Sequence, residues 1–598
     1  MEIKTFDERL KLGNGDYDRL VNSRKPKEIE NKRAYIVGTG IAGLSAAGFL
    51  IKDAKMDPSK ITFLEKDDIA GGALDGKVIN ELGYVARGGR ETGHHFECLW
   101  DLFSVVPSRE DPNMSVLDDL YYTNLDDPNY SNCRITKNQG ERYDNAKFNL
   151  SKDVIKEILH LVATPDKELE GVSVEEVFSE EFLESDFWTY YRTMFAFENW
   201  HSVLELKLYV NRFIHHVGGL PDLSALQFTR YDQYESLVVP LMKWLKDKGV
   251  KTEYNYNVID VDFEISDTKK VAKKIVAVDT KTGEDKSINL NEDDLLFITT
   301  GSIVEASVYG SNDTPAIKEE NTEESFRLWK NIAKKSDDFG KPEVFASDVD
   351  KTNWESATVT VKSKKIAKYI ENITKRSPYT GKVVTGGIVT CLDSSWLMSW
   401  TINRQGQYIG QPEDEIAVWV YSLFTDKEGD YIKKTMHECT GEEIAKEWLY
   451  HIGVPVSDID RLAKETKTIP VFMPYITAQF MPRSFGDRPY VVPKNAVNFA
   501  FLGQFVETLD NPGRDTVFTT EYSGRCAMEA VYVLTGVEKK VPEVFASRYD
   551  VRYMLAAVSA LNDGEKPDID VPFTKKMLAK KLINGTEVEE MLKEYNLI

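Results

Sequence analysis

The sequence predicts an α/β protein with a Rossmann-like dinucleotide-binding unit near its start. An apolar, β-branched run at residues 33–37 is followed directly by the glycine-rich segment GTGIAG at 38–43. A helical pattern then runs to residue 52, and a second apolar run follows at 60–66. Strand, glycine-rich turn, helix and strand in this order form a βαβ unit. The chain of 598 residues also exceeds one compact core, because domains usually contain about 100–200 residues.

Each glycine of GTGIAG has its own task in a dinucleotide site. Gly38 permits a tight turn, Gly40 lets the backbone approach a pyrophosphate, and Gly43 lets the helix pack closely on the strand. Glu65 ends the second strand, where an acidic side chain binds a ribose hydroxyl, although it comes later than the usual spacing of about 20 residues. A glycine-rich turn without a ligand is the alternative. The context and the acid together favour a dinucleotide site.

Changes in pattern divide the rest of the chain. Helical periodicity predominates at 148–218, and strands broken by turn residues follow from 250 to 302. Strong strand candidates lie at 382–392 and 415–424, and the region after 541 is mostly helical.

The composition excludes several functional classes. Apolar residues make up 42% of the chain and aromatic residues 11%, which excludes general disorder. The net charge of −22 disfavours nucleic-acid binding, because an acidic surface repels phosphates. The N-terminal segment lacks the apolar core of a signal peptide, and no run reaches the roughly 18 apolar residues of a membrane span. We therefore expect a soluble, cytoplasmic protein.

The cysteines and histidines predict free thiols and no bound metal, because none has the spacing of a zinc ligand set. The five cysteines are dispersed: Cys98, Cys133, Cys391, Cys439 and Cys526.

Three segments favour FAD over NAD by their resemblance to two-dinucleotide-domain flavoproteins. Residues 294–302 resemble the strand that returns to the cofactor at a turn of small residues, and 71–76 supplies flexible backbone near the pyrophosphate. Residues 498–506 resemble the late strand that brings backbone amides to the flavin. This resemblance implies cofactor contacts at Gly72, Val258, Ser302 and Gly503.

Residues 84–103 carry an unusual density of charged and imidazole side chains. Two glycines inside an Arg-Gly-Gly-Arg run suggest backbone that lies close to a ligand, whereas a solvated charged loop is the alternative. The side chains concerned are Arg87, Arg90, Glu91, His94, His95 and Glu97.

Several long and unusual motifs lie along the chain, namely RGGRE with HFECLWDLF, MFAFENWHS, RFIHH, YDQYES, WTINRQ, MPYITAQFMPR and FTTEYS. Together they resemble the motifs of the oleate hydratases, also known as myosin-cross-reactive antigens. The resemblance extends from about residue 15 to the C-terminus. It implies a FAD-containing homodimer that adds water across a cis double bond of a free unsaturated fatty acid. Typical reactions convert oleate to 10-hydroxystearate, or linoleate to a hydroxy-octadecenoate.

The resemblance also implies roles for individual residues. Glu91, after RGGR, would activate water, and Tyr209, before RFIHH, would protonate the alkene. A glutamate with a pKa of about 4.3 is ionised at neutral pH, whereas a tyrosine with a pKa of about 10 is a weak acid for an alkene. Preorganised charge, including that of a reduced flavin, would have to assist. Gln233, Thr401 and Asn403 would hold the substrate carboxylate, and Arg90 and Ser523 would add cofactor contacts.

Taken without the resemblance, several of these residues have ordinary interpretations. Tyr209 fits a packing position on an amphipathic helix. Gln233, Thr401 and Asn403 fit loop or cap positions.

The sequence departs from the family pattern at three places. Thr92 and Gly93 replace a Met and an acidic residue, and Gln407 stands where many relatives carry His. The loop 507–516 is also longer than usual. These departures bear on which double bond is hydrated and which chain length is preferred.

The predicted architecture is discontinuous. Residues 1–30 form an N-terminal arm, and a FAD-binding domain is assembled from 31–105, 225–310 and 490–540. An inserted, mixed α+β substrate domain comprises 106–224 and 311–489, and a helical C-terminal region comprises 541–598.

A basic amphipathic segment near the C-terminus predicts either peripheral membrane contact or packing of its apolar face on the protein. Its residues are Lys575, Lys576, Met577, Leu578, Lys580, Lys581 and Leu582.

Two other functions remain open at the level of sequence. A FAD-dependent oxidoreductase of the amine oxidase or desaturase type would share the same dinucleotide architecture. A non-catalytic binding protein is less favoured, because it needs no dinucleotide site.

Overall fold

The structure, a computed structural model, describes residues 24–74, 77–79, 83–143, 147–318, 324–509, 515–566 and 581–598. The N-terminal arm therefore lies mostly outside the described residues, as does most of the basic segment near the C-terminus.

Strands of the described chain are numbered in chain order. They are β1 (Arg33–Val37), β2 (Ile61–Leu64), β3 (Lys77–Ile79), β4 (Gly83–Val85), β5 (Ile135–Lys137), β6 (Glu141–Arg142), β7 (Lys251–Glu253), β8 (Tyr256–Ile265), β9 (Lys270–Asp279), β10 (Asp285–Asn289), β11 (Asp294–Thr299), β12 (Val308–Tyr309), β13 (Trp354–Val361), β14 (Val389–Cys391), β15 (Ser399–Thr401), β16 (Ile416–Ser422), β17 (Thr466–Met473) and β18 (Phe499–Leu502).

Helices are numbered in the same way. They are α1 (Ile41–Lys52), α2 (Glu97–Phe103), α3 (Val116–Asp126), α4 (Lys152–Ala163), α5 (Glu180–Leu183), α6 (Asp186–Phe195), α7 (Val203–Arg212), α8 (Val239–Lys248), α9 (Arg327–Ala333), α10 (Pro342–Ala346), α11 (Val349–Thr352), α12 (Lys364–Thr374), α13 (Gly441–His451), α14 (Val456–Ala463), α15 (Thr520–Thr535), α16 (Val551–Leu561) and α17 (Glu587–Glu594).

A five-stranded parallel sheet forms the first layer, with the order β18-β11-β1-β2-β7. Its apolar strands are almost fully buried, as expected for a parallel sheet covered on both faces. Helix α1 follows β1 directly, and α15 packs along α1. The predicted βαβ unit and the Rossmann-like α/β class are confirmed. Between β7 and β11 the chain forms a separate antiparallel sheet, β10-β9-β8.

An eight-stranded mixed sheet forms the second large layer, with the order β12-β17-β13-β16-β15-β14-β5-β6. Every residue of β13 and of β16 is buried. Helices α12 and α13 pack on one face, and Thr358 on the other face accepts a hydrogen bond from the Ala86 amide at 2.8 Å. The strand predicted at 415–424 is confirmed, but the one predicted at 382–392 is confined to β14. The chain turns at Gly386 and Gly387, where φ is 73° and 139°.

Helices α4 to α7 form a third layer around an aromatic core, which confirms the helical pattern at 148–218. Helix α16 packs on the turn at 214–219. The boundaries of the predicted domains stay a prediction. Strand β12 lies inside the predicted FAD-binding segment 225–310, yet it pairs with the mixed sheet.

Among the helices that the structure describes, none combines the length and apolar character needed to cross a bilayer.

Candidate active site

A cavity of about 720 Å³ lies between the parallel sheet and the mixed sheet. The carboxyl ends of β1, β2, β11 and β18 all open into it. Ligands of open α/β sheets bind at this edge, in the crevice formed by the loops that follow the carboxyl ends of the strands. The cavity has a glycine-rich side at the parallel sheet and an aromatic side at the mixed sheet.

The turn between β1 and α1 forms the floor of the glycine-rich side. Gly38 has φ of 84°, and a Cβ at Gly43 would lie only 2.3 Å from the carbonyl oxygen of Gly38. Gly40 precedes the first helical residue and has no side chain to cap the helix. The amides at the start of α1 therefore remain available to an anion.

Glu65 is fixed at the end of β2. Its Oε2 accepts hydrogen bonds from the Thr39 amide at 2.8 Å and the Thr39 hydroxyl at 2.5 Å, and its Oε1 accepts from the Asp67 amide at 3.0 Å. Both carboxylate oxygens retain further acceptor capacity at the cavity surface.

The predicted cofactor residues converge on this side of the cavity, with Gly43 packed behind the turn. The predicted cofactor residues that belong to the cavity lining are Gly38, Gly40, Glu65, Gly72, Arg90, Val258, Ser302, Gly503 and Ser523.

The Arg-Gly-Gly-Arg run clamps the glycine-rich side. Arg87 donates to the carbonyl of Gly72 at 2.9 Å, and Arg90 donates to the carbonyl of Ala73. The alternative of a solvated loop is therefore wrong for these two arginines, although His94 is exposed.

Glu91 faces the cavity from the end of this run. Its Oε1 is buried and has no hydrogen-bond partner among the described residues. Burial raises the pKa of Glu91, whereas the charges of Arg134 and Arg90 lower it. Burial lowers the pKa of each of these arginines to about 10, so both remain cationic at neutral pH. The carboxylate thus has two nearby cations that oppose the cost of burial.

Tyr209 on α7 is completely buried. Its ring packs against Phe195 and Phe197, with centroid distances of 4.9 and 5.2 Å, and its hydroxyl oxygen accepts from the Phe518 amide at 3.1 Å. Burial and the charge of Glu205 raise the pKa of Tyr209, which keeps the hydroxyl protonated. Among the described residues, Tyr209 does not line the cavity. Phe195, Phe213 and Phe518 lie between Tyr209 and the cavity and form part of its lining.

Gln233 and Asn403 both contact the loop that carries Glu91. Gln233 donates to the carbonyl of Arg90 at 3.1 Å, and Asn403 donates to the carbonyl of Gly89 at 3.3 Å. Thr401 is directed elsewhere, since its hydroxyl donates to the carbonyl of Gly387 at 3.0 Å. Of the three, Gln233 belongs to the described cavity lining.

A model of the MCRA family matches residues 31–532. The chain belongs to the MCRA family. It is similar to an oleate hydratase of Streptococcus pyogenes serotype M49 (strain NZ131), with 47% identity over 98% of this chain and 99% of the relative. It is also similar to a linoleate hydratase of Lactiplantibacillus plantarum, with 28% identity over 84% of this chain and 94% of the relative. A solved putrescine oxidase with bound putrescine covers 84% of this chain and 99% of its own at 11% identity and a TM-score of 0.49.

The aromatic side of the cavity in this MCRA-family protein was missed by sequence reasoning. Tyr421 lies there and donates to the carbonyl of Thr193. The alternation in β16 places Trp419 and Tyr421 on one face of the sheet, and this period of two was the available signal. The apolar and aromatic lining residues on this side are Tyr191, Trp354, Ile388, Trp419, Tyr421 and Ile476.

Arg134 was also missed, because nothing in its local sequence marks it. It lies just before β5, and its Nε donates to the carbonyl of Ile388 at 3.0 Å. Its guanidinium lies 4.8 Å from the centroid of the Tyr190 ring. The pairing of β5 with β14 brings it next to Ile388, which lines the cavity.

The departures from the family pattern have defined positions. Thr92 is buried and forms a two-bond bridge with Gln227, at 2.9 and 3.0 Å. The Gly93 carbonyl accepts from the Trp100 indole at 3.0 Å. The Gln407 carbonyl accepts from the Asp232 amide at 2.9 Å. Residues 510–514 of the long loop lie outside the described residues.

Asp430, Glu447 and His451 lie close enough to ligate a metal, a grouping that sequence reasoning did not identify. The Glu447 oxygens, however, accept from the amides of Asp430, Tyr431 and Ile432 at 2.7–3.0 Å. These bonds explain the cluster as an anchor for the loop before α13.

Proposed function

We propose that this protein is a FAD-dependent fatty acid hydratase that adds water to a cis double bond of a free unsaturated fatty acid. Membership of the MCRA family, and the similarity to an oleate hydratase and a linoleate hydratase, support an enzyme of this class. The structural observation that carries the proposal is a single cavity in which the glycine-rich side and the aromatic side are continuous. Glu91 faces that cavity with an unpartnered, buried oxygen.

The residues of the glycine-rich side fit FAD. The amides at the start of α1 would hold the pyrophosphate, and Glu65 would bind a ribose hydroxyl. Arg87 and Arg90 secure the turn at 72–73, which lies directly beside the turn at Gly40. When bound and reduced, the flavin would supply negative charge beside the double bond.

The aromatic side fits an alkyl chain. Its residues present large aromatic and aliphatic surfaces against which an alkyl chain can pack. The double bond would lie where the aromatic side of the cavity meets Glu91.

Glu91 acts as the base in the proposed reaction. Its carboxylate takes a proton from water while the water oxygen bonds to one alkene carbon. Its raised pKa brings it closer to neutrality, where a general base is most effective. Arg134 and Arg90 favour the ionised form that the step requires.

Tyr209 gives its proton to the other alkene carbon. Because the Phe518 amide already donates to the phenol oxygen, the hydroxyl hydrogen is free to be donated elsewhere. The proton taken by Glu91 returns to Tyr209 through solvent, which restores both residues. The alkene gains one H and one OH, so the reaction involves no net redox change. For this step Phe195, Phe213 or Phe518 must move aside.

Anaerobic turnover separates hydration from oxidation. Purified protein with FAD, a reductant and oleate or linoleate is expected to form a hydroxy acid heavier than its substrate by one water, and the fragment masses locate the hydroxyl carbon. A dehydrogenated product that appears with substrate-dependent flavin reduction would instead identify an oxidoreductase.

A further inference from the structure

Residues 515–518, where the long loop ends, contact α7 at two points. The Phe518 amide donates to the phenol oxygen of Tyr209 at 3.1 Å, and Asp515 Oδ1 accepts from Arg212 Nε at 3.0 Å. Tyr209 and Arg212 are three residues apart on α7, and Asp515 and Phe518 are three residues apart in the segment. The segment therefore lies along the last turn of the helix that carries the proposed proton donor.

Asp515 is paired on both sides. Its side chain is fully buried, and Arg525 Nε on α15 donates to its Oδ2 at 3.0 Å. Burial raises the pKa of Asp515, but the charges of Arg212 and Arg525 lower it by more, so the carboxyl stays ionised. Because a buried charge is costly without its partner, these ion pairs lock the segment between α7 and α15.

Arg212 extends the same contact to the chain that carries Glu91. While its Nε donates to Asp515, its Nη2 donates to the carbonyl of His95 at 2.6 Å. His95 lies in the stretch between Glu91 and the start of α2. Arg212 thus joins the helix of the proposed proton donor to the chain of the proposed base.

The Phe518 amide also affects the acidity of Tyr209. Burial and the charge of Glu205 raise the pKa of Tyr209, whereas the hydrogen bond from the Phe518 amide lowers it. When the phenol gives its proton to the alkene, its oxygen becomes negative, and a hydrogen bond to an ionised oxygen is about twice as strong as one to a neutral oxygen. The amide therefore stabilises the tyrosinate as it forms.

Resting on the proposed hydratase function, we propose that Asp515 is a positioning residue for Tyr209. It holds residues 515–518 against α7, so that the Phe518 amide stays on the phenol oxygen while the proton leaves. Asp515 does not belong to the described cavity lining. Its loss should therefore slow the chemical step and leave the affinity for the fatty acid unchanged.

Asp515→Asn tests this role, because asparagine keeps the shape of the side chain but has only one oxygen to accept from two guanidinium groups. Stearate serves as the binding probe, because it has the acid group and no double bond to hydrate. We expect kcat for oleate to fall at least tenfold, while the stearate Kd measured by titration calorimetry stays within twofold. An unchanged kcat would overturn the proposal, as would a tenfold rise in the stearate Kd.

Fluorine NMR provides a readout that is independent of turnover. With 3-fluorotyrosine incorporated at position 209 alone, the resonance reports the surroundings of the phenol. In Asp515→Asn it should be displaced from its position in the parent protein by more than its linewidth, and an undisplaced resonance would overturn the proposal. A parent protein that forms no hydroxy acid would refute the proposed function alone, because the resonance still decides the positioning role.

Arg212→Lys is the second variant, because Asp515→Asn leaves two buried arginines without their counter-charge and could fail to fold. Lysine keeps a cation beside Asp515, but its single ammonium does not reproduce the planar fork that reaches both Asp515 and the His95 carbonyl. The same loss of kcat and the same displacement of the resonance are expected. A parent-like kcat with an undisplaced resonance would contradict the positioning role.

Asp53→Asn is the matched control. Asp53 is also a buried carboxylate that pairs with a cation from a distant segment, Lys539 at 3.4 Å, and it accepts from the Tyr532 hydroxyl at 2.8 Å. It lies outside the described cavity lining. Its replacement should lower Tm and leave kcat, the stearate Kd and the resonance of residue 209 unchanged. Equal losses of kcat in this control would attribute the effects to general destabilisation and would overturn the proposal.

Discussion

At the scale of single residues, the ionisation of Glu91 depends on its neighbours. Burial raises its pKa, and Arg134 opposes this more strongly than Arg90 does. As the proposed base, Glu91 must be ionised to act, so the rate should rise with pH as Glu91 loses its proton. A change that raises the pKa of Glu91 therefore shifts the acid limb of the pH dependence of kcat/KM to higher pH.

Arg134→Met should produce that shift. Removing the cation raises the pKa of Glu91 further, and kcat/KM at neutral pH should fall at least tenfold. The measurement is the pH dependence of kcat/KM for the parent and the variant. Arg376→Met, which removes an arginine that donates to the Val383 carbonyl, is the control that should leave the limb in place. An acid limb that does not move in Arg134→Met would show that this cation does not set the charge of Glu91.

Glu355 gives a second pH-dependent prediction, this time for stability. It is completely buried in β13, neither oxygen has a partner among the described residues, and burial raises its pKa well above the usual value. The folded state therefore holds a proton that the unfolded chain loses at about pH 4.3, so stability falls as pH rises above that value. Glu355→Gln should raise Tm relative to the parent by more at pH 8 than at pH 5. An equal difference at both pH values would contradict a protonated Glu355.

Local spacing could predict some site residues and not others. Gly38, Gly40 and Glu65 follow from one continuous βαβ pattern, in which each position has its own physical requirement. Tyr421 lines the cavity, and Arg134 contacts Ile388 of the lining, because strands distant in sequence pair. No local signal encodes such pairing. The roles of Tyr209, Gln233 and Asn403 came from resemblance, and the contacts of the two amides required coordinates.

At the scale of elements, the close packing of α1 on β1 determines the shape of the glycine-rich side of the cavity. The Cβ of any residue at 43 would meet the Gly38 carbonyl at 2.3 Å and the Ile36 side chain at 3.2 Å. The carbonyl belongs to the turn itself and cannot rotate away, so the helix must move from the strand.

Gly43→Ala should weaken FAD binding at least tenfold and destabilise the fold by about 1–3 kcal/mol, the usual cost of overpacking. Flavin titration and thermal melting measure the two effects. Gly48→Ala on the same helix is the control, because its Cβ would meet the end of the flexible Leu102 side chain, so FAD affinity should be retained. Unaltered FAD affinity in Gly43→Ala would contradict the position assigned to the pyrophosphate.

Sequence patterns predicted some strands of this protein correctly and others only in part. The parallel sheet was predictable because buried apolar runs and turn glycines alternate along the chain. The run at 382–392 has the composition of one strand, yet a Cβ at Gly386 would lie 2.1 Å from the Tyr130 carbonyl. This close approach, made by a distant segment, shortens the strand to β14.

At the scale of the whole molecule, the substrate must reach a protein of net charge −22 from a lipid phase. We propose a homodimer in the cytoplasm that contacts membranes peripherally through the basic segment at 575–582. Most of that segment lies outside the described residues, and Leu582 at its end is 71% exposed.

Replacing Lys575, Lys576, Lys580 and Lys581 by Gln should reduce binding to anionic vesicles, because each lysine near such a surface contributes about 1 kcal/mol. Vesicle sedimentation at low and high salt measures the effect, with neutral vesicles as the control. Undiminished binding of the variant would assign the segment to packing on the protein.

In the proposed hydration, Glu91 activates the water that becomes the hydroxyl group. The most direct test is anaerobic turnover of oleate in heavy-oxygen water by the parent and by Glu91→Gln, matched for FAD content and stearate affinity. We expect a labelled hydroxy acid from the parent and a rate at least 100-fold lower from the variant, since a general base contributes about 10²–10⁴-fold. Labelled product formed at similar rates by both proteins would contradict it.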